Sequence, residues 1–331
     1  MKKISCIISL AFSFALTSCN NELDILTDYK ETIVVFGLLN PADTVQYIKI
    51  NKAFLGDGNA LVMGGVFDSS NYADGELAVT MQKMQGSTAV GNPIVLTRDT
   101  LIPKPSGVFS APLQILYRTS VAIAQDGSQY QLLIRNTRTG TQVDSKTKVV
   151  QDLVVSNPTS SQTVNFIAPL PFKIKWTSSA DGRLYDVNIR INYKETYVWD
   201  TTQVTYKSID MPLGSQRSVN LSGGEVMTIS FEGESFYRFL GNNLSPNSSV
   251  IRKFRGMDFV FTVAGEDFST YMDVTQTGTS SFQALPNYSN INGGVGLFSS
   301  RFTKTSYNCQ LGAISLDSLI NGQYTSDLGF Q

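Results

Sequence analysis

The chain has 331 residues and no histidine, with 26 lysine and arginine against 27 aspartate and glutamate side chains. That near-neutral balance leaves no basic footprint for nucleic acid, and the lack of imidazole excludes Ser-His-Asp and Cys-His machines together with the histidine ligands of most catalytic zinc and non-haem iron sites. A pair of acids in one cleft, as in a glycosidase, and a serine–lysine pair are the catalytic designs that survive.

Lys2 and Lys3 precede an apolar run over residues 4–16, and Leu16-Thr17-Ser18-Cys19 closes it. A short positive segment, an apolar stretch and a small-residue cleavage site ending in cysteine read as a lipoprotein signal peptide over residues 1–18. A spanning helix needs about 20 apolar residues, more than this run supplies. Cys19 is therefore the expected lipid attachment site and residues 19–30 the lipidated tether. Each buried methylene adds about 0.8 kcal/mol, so two or three acyl chains hold such a protein on the bilayer permanently. Asn20 stands where an inner-membrane retention signal has aspartate, which places the protein on the outer membrane, at the cell surface or the periplasmic face. Without residues 1–18 the balance is 24 basic against 27 acidic side chains. Cys6 leaves with the signal and Cys19 is acylated, so Cys309 has no disulfide partner.

Residues 31–40 form a β-branched apolar run ended by Asn40, Pro41 and Asp43, which predicts a buried strand. In residues 44–52, Gln46, Ile48 and Ile50 alternate with Val45, Tyr47 and Lys49, the pattern of an antiparallel partner. Five glycines among aspartates and asparagines make residues 55–75 a long surface loop and one place for a ligand. Leu77, Val79 and Met81 share one face of a third strand, and residues 93–97 form a fourth after the Gly91-Asn92 break. Tyr130, Leu132 and Ile134 share a face of a strand that makes a hairpin with residues 143–150 around Gly140. Short strands without a long helical period predict an all-β fold with a first β-sandwich over residues 31–150.

The polar residues 151–163 read as a linker, with a second β-sandwich carrying two short helices at 164–331. There Phe172, Ile174 and Trp176 alternate with Lys173 and Lys175. Past the turn at Asp181-Gly182, one face holds Tyr185, Val187, Ile189, Ile191 and Tyr193. The alternation continues to Tyr197 and Trp199 beside the turn at 200–202, and aromatics at a strand end can stack on a sugar or seat a peptide. They are the candidate ligand-binding residues. The basic cluster Arg252, Lys253 and Arg255 reads as a solvated face. Phe236, Phe239 and Leu240 mark a short amphipathic helix, and Phe259, Phe261 and Val263 a strand. Residues 266–276 form a second helix, with Phe268, Tyr271, Met272 and Thr275 on a core-facing stripe and Glu266 and Asp267 at its positive end.

No catalytic, metal or cofactor site is expected from these patterns. Ser145-x-x-Lys148 lies in a strand, where the two side chains point to opposite sides. Gly293-Gly294-Val295-Gly296 lacks phosphate-loop spacing and precedes a strand, so its glycines serve close backbone approach.

The I-x-W, turn, L-Y-D-V-x-I-x-I cadence of residues 174–191 resembles a fibronectin type III domain. The G-x-x-Y-x-L-x-I strand from Gly127 resembles the closing strand of immunoglobulin-like and transthyretin-like sandwiches. The lipobox, the early Ile-Val-Val-Phe-Gly-Leu-Leu-Asn strand and the C-terminal run with Tyr271, Gln276, Pro286-Asn287 and Asn290-Ile291-Asn292-Gly293-Gly294-Val295-Gly296-Leu297-Phe298-Ser299-Ser300 together resemble the Bacteroidetes lipoproteins of the domain-of-unknown-function 4249 family. Leu297 stands where that cadence has an aromatic. The resemblance implies a non-catalytic accessory, binding a ligand or partner, to a TonB-dependent outer-membrane transporter. The alternatives are a structural protein of envelope assembly and a carboxylate-dependent glycosidase.

Overall fold

The longest sheet is built from both ends of the chain. The computed structural model describes residues 31–53, 60–107, 110–276 and 288–331. The signal peptide, Cys19 and the tether lie outside the described residues. Residues 32–331 form one unit. In its N-terminal half, β1 (Ile33–Leu39), β2 (Gln46–Lys52), β5 (Thr97–Asp99) and β6 (Leu116–Thr119) join the long sheet, while β3 (Leu77–Gln85), β4 (Thr88–Val95), β7 (Gln129–Asn136) and β8 (Gln142–Lys148) form a second. In the C-terminal half, β10 (Thr163–Val164), β12 (Leu184–Tyr197), β13 (Val204–Arg217), β15 (Val250–Ala264) and β16 (Val295–Leu311) complete the long sheet. The strands β9 (Val154–Asn157), β11 (Pro171–Thr177) and β14 (Val226–Glu232) form a third sheet. The nine-stranded sheet runs β13-β12-β15-β16-β1-β2-β6-β5, with β10 added against β16. The described helices are α1 (Ala60–Gly65), α2 (Phe67–Ser70), α3 (Gly233–Asn243), α4 (Glu266–Gln276) and α5 (Ala313–Asn321). The protein is mainly β, with sheets packed as sandwiches.

Two cores lie on one face of the long sheet. Ile33, Val35 and Leu39 of β1, Ile48 and Ile50 of β2 and Phe298 of β16 pack against Val79, Met81, Leu132 and Ile134 of the four-stranded sheet. Further along β16, Phe302 and Cys309 join Val187, Ile189, Phe259 and Phe261 against Trp176, Ile174, Met227 and Phe236. Phe298 and Phe302 share a face of β16 because they are four residues apart on a period of two. One strand thus serves both cores. Trp176, fully buried, meets Tyr185 at 5.9 Å and Phe261 at 5.5 Å between ring centroids.

The halves expected as separate sandwiches share this sheet through the parallel pair β1–β16, which sets Val35 beside Gly296 and Gly37 beside Phe298. A Cβ at Gly296, where φ is 119°, would lie 2.0 Å from the Val35 carbonyl oxygen, so glycine is what lets the strands meet. Residues 151–163, expected as a linker, contain β9, which pairs with β11, and β10 begins at the segment's end and pairs with β16. Leu153 inside that segment is buried.

Three other expectations change. The fourth strand starts at Thr88 rather than 93 and runs through Gly91-Asn92, because Gly91 at φ 71° absorbs the register shift opposite Met81 and Lys83 as a bulge. Residues 60–70, expected as loop, hold α1 and α2, while 54–59 lie outside the described residues. The stripe of α4 is half-buried rather than core, since the helix lies on the outer face of the long sheet: the Phe268 amide donates to Ser299 Oγ at 3.2 Å, and Ser299 points away from Phe298.

A candidate binding surface

The outer face of the long sheet is treated differently at its two ends. Over the middle of β12, β13 and β15 several outward positions are polar and paired with one another, while Tyr206 and Val204 nearer the hairpin tip stand exposed. Arg190 donates twice to Asp210, at 2.8 and 2.9 Å; Asn188 donates to Asp186 at 3.0 Å; Asn192 donates to Asp258 at 3.0 Å, whose other oxygen accepts from the Asn308 amide at 2.8 Å. Over β1 and β2 the outward positions are Val34, Phe36 and Leu38 beside Tyr47, Lys49 and Asn51, and Asn51 donates away from the sheet to Ser70 and Asn71.

Phe36 stands at the centre of that second area, 42% exposed although it lies mid-strand. Its ring meets Tyr271 of α4 edge-on at 6.1 Å. On the α4 side a hollow of about 450 Å³ is walled by Phe36, Phe268, Tyr271 and Leu297, with the Arg301–Asp43 pair, at 3.6 Å, on its lining. On the other side a hollow of about 480 Å³ is walled by Val34, Phe36, Lys49, Lys104 and Leu113. Each is the size of a small-ligand site, and mixed apolar walls with a few polar groups are what such sites present. Lys104 is held by its amide donating to the Pro112 carbonyl at 2.8 Å and its ammonium donating to the Ser110 carbonyl at 3.3 Å. Burial, then the Lys104 charge, pull the proton affinity of Lys49 below that of an ordinary lysine.

Tyr197 and Trp199 sit at the tip of the β12–β13 hairpin, 40% and 70% exposed, with rings stacked at 4.8 Å and 21°. Each ring spends one face on the other. In sheet order β15 and β16 separate their hairpin from β1, so they do not contribute to the hollows around Phe36. Arg252, expected on a solvated face, is 6% exposed. It donates to Glu195 Oε1 at 3.0 Å and to the Leu328 carbonyl at 2.6 Å, and its backbone bridges Phe330, so it clips the C-terminal segment to β15. The correction follows from the register, which sets Arg252 directly opposite Glu195.

The groups that could do chemistry are engaged. A hollow of about 200 Å³ gathers Asp181, Glu266 and Asp267. Asp181 pairs with Lys148 at 3.2 Å, Glu266 with Arg183, and Asp267 accepts from the Tyr288 hydroxyl at 2.5 Å. Burial and then that hydrogen bond push the Tyr288 phenol upward. Ser145 points inward and donates to the Asn290 carbonyl at 2.7 Å, while Lys148 points out, as the strand reading of Ser145-x-x-Lys148 requires. Burial raises the Cys309 thiol, and its sulfur lies 3.4 Å from the Thr159 carbonyl. Among the described residues no three of aspartate, glutamate and cysteine gather as metal ligands, and no helix is long and apolar enough to cross a membrane.

Sequence reasoning overlooked Phe36. The available signal was that residues 33–39 are apolar at every position, the mark of a strand covered on both faces, whereas here α4 covers the outer face only in part.

No protein-family model matches the chain, and no curated protein matches it. Among solved structures, the C-terminal globular domain of an oligosaccharyltransferase from Pyrococcus abyssi is similar over 70% of this chain and 48% of its own length, at 11% identity and a TM-score of 0.25. The chain thus spans about half the length of that protein. A superposition so loose bears on neither mechanism nor ligand.

Proposed function

We propose that this protein is a lipid-anchored, non-catalytic binding module of the outer membrane that works beside a TonB-dependent transporter and takes its ligand in the hollows flanking Phe36. One observation carries the binding part: Phe36 is left 42% exposed mid-strand between two hollows, on a stretch of sheet without, among the described residues, paired polar side chains such as Arg190–Asp210 and Asn192–Asp258. Supporting the anchor is the sequence alone, through Leu16-Thr17-Ser18-Cys19. Supporting a non-catalytic role are the missing histidine and the engagement of every carboxylate in the acid-lined hollow. The transporter partner rests on the resemblance to the domain-of-unknown-function 4249 lipoproteins.

The test is affinity purification of the full-length chain from solubilised outer membrane. Enrichment of a TonB-dependent transporter, lost with Cys19→Ala, is the expected result. Normal fractionation of the Cys19→Ala protein with the membrane would end the anchor. Turnover of a glycan by the purified protein would replace binding with catalysis.

A further inference from the structure

Two arginine–aspartate pairs on the long sheet differ in how completely they close. Arg190 of β12 and Asp210 of β13 grip each other through two hydrogen bonds at 2.8 and 2.9 Å. Arg301 of β16 and Asp43 of the turn after β1 stand 3.6 Å apart, beyond the roughly 2.7–2.9 Å of a charge-assisted hydrogen bond. Neither of these two side chains makes a hydrogen bond among the described residues, and the Arg301 Nε is buried with no partner. Both are a little under half exposed, at 43% and 46%, and both line the hollow on the α4 side of Phe36, where they are the charged residues among those described. Gln46 on the same lining is spent: its Oε1 accepts from the Asn40 amide at 2.9 Å and its Nε2 donates to the Asn40 and Asp43 carbonyls at 2.8 and 3.0 Å. The hollow therefore holds a donor fork and an acceptor side by side with unspent capacity and opposite charge. Its walls are otherwise mainly apolar, with Phe36, Phe268, Tyr271 and Leu297. Phe36 and Tyr271 meet at 75° between ring planes, so a further ring can join them in the stacked or edge-on geometry that aromatic pairs prefer.

A ligand with a carboxylate alone would meet the like charge of Asp43, and one with an ammonium alone would meet that of Arg301. A neutral hydroxyl suits both, but its hydrogen bonds are weaker than those between charged groups. Carboxylate and ammonium on one carbon satisfy both side chains at once. From this geometry we infer that the hollow on the α4 side of Phe36 is a site for a zwitterionic aromatic amino acid, its carboxylate on the Arg301 guanidinium, its ammonium on Asp43 and its ring among Phe36, Phe268 and Tyr271. The volume of about 450 Å³ suits a ligand of that size. The inference rests on the reading of this face as the binding surface and adds the class of ligand.

Phenylalanine serves as the probe, with phenylpropionate and phenylethylamine as the same body carrying one charge each. Full-length protein is held in phosphatidylcholine nanodiscs at neutral pH, uptake of tritiated phenylalanine is followed by scintillation proximity with empty discs subtracted, and the two analogues are added as competitors. Saturable one-to-one binding of phenylalanine is expected, with each analogue weaker by at least about tenfold, and with Arg301→Gln and Asp43→Asn each weaker for phenylalanine by at least about tenfold. Both variants should melt close to the unaltered protein, since a half-exposed pair adds little stability. Equal competition by either analogue would overturn the inference without reference to any variant. So would undiminished uptake by either variant, or no uptake above the empty disc. A protein that takes up no phenylalanine yet forms adducts through a photoreactive residue at position 36 refutes this inference alone; phenylalanine bound equally well by Phe36→Ala refutes the reading of the surface as well.

Discussion

The two ends of the long sheet are built from similar strands yet finish their outer faces in opposite ways. On β12 and β15 every second residue over most of the strand supplies the inner core, and on the outer face several polar side chains pair across strands, as Arg190 does with Asp210 of β13 and Asn192 with Asp258. On β1 and β2 the inner positions are equally buried, but the outer ones, Val34, Phe36 and Leu38 beside Tyr47, Lys49 and Asn51, flank open hollows. Polar pairing satisfies an exposed sheet face within the chain itself. An apolar face rimmed by polar groups is left for something else to cover. On the proposed reading, stability is needed at both ends and recognition at one, which is why the inner cores are alike and the outer faces differ.

The largest effect should come from the closed end. Trp176→Ala removes a fully buried ring from the larger core and should cost about 3–5 kcal/mol. Denaturant unfolding gives the value, and a loss under about 1 kcal/mol would mean that this core is not what holds the C-terminal half together.

Next is the Arg252 clip. Arg252→Ala leaves the largely buried Glu195 with Lys207 as its charge partner and releases the Leu328 carbonyl, for a cost of about 2 kcal/mol. The same cluster has a pH signature. Burial alone would raise the Glu195 carboxyl, but hydrogen bonds from Lys207 and Arg252 outweigh it, so its folded pKa lies below the usual 4.5. A group more acidic when folded stabilises fully above its unfolded value and loses that contribution as pH falls through the folded one. The melting temperature of the native protein should therefore exceed that of Glu195→Gln at neutral pH, and the gap should close on acidification below 4.5. A gap that does not change with pH would contradict the cluster.

The smallest effect on stability sharpens the contrast most. Phe36→Ala removes a ring already 42% exposed and should cost only about 1 kcal/mol, while ligand uptake is lost. Were the substitution as damaging as Trp176→Ala, Phe36 would be a core residue and the two ends would not differ in kind.

Much of this fold is legible in period-two alternation. The inner faces of β3, β7, β11, β12 and β15 follow Leu77-Val79-Met81, Tyr130-Leu132-Ile134, Ile174-Trp176, Tyr185 through Tyr193 and Phe259-Phe261-Val263, because burial on one face leaves that trace wherever a strand forms. The joining of the halves left no local trace. β1 and β16 are about as far apart in sequence as this chain allows, and their parallel pairing depends on Gly296 meeting the Val35 carbonyl. The face on which α4 settles is likewise a tertiary choice, since a stripe of Phe268, Tyr271 and Met272 suits a core or the wall of a hollow equally well. The expected ligand pair, Tyr197 and Trp199, was correctly read as lying at a strand end; that its rings would stack on each other depends on the hairpin tip.

The central claim is that binding occurs over β1 and β2 rather than at the paired end or the aromatic tip. The most direct measurement is photocrosslinking in living cells, with a benzophenone amino acid placed singly at Phe36, Arg190 or Trp199 and adducts read by gel shift and intact mass, so that small ligands and large partners are both seen. All three positions are exposed, so access alone does not favour any of them. The account predicts discrete adducts at position 36 and none at 190 or 199. Adducts at 199 or 190 with none at 36 would contradict it.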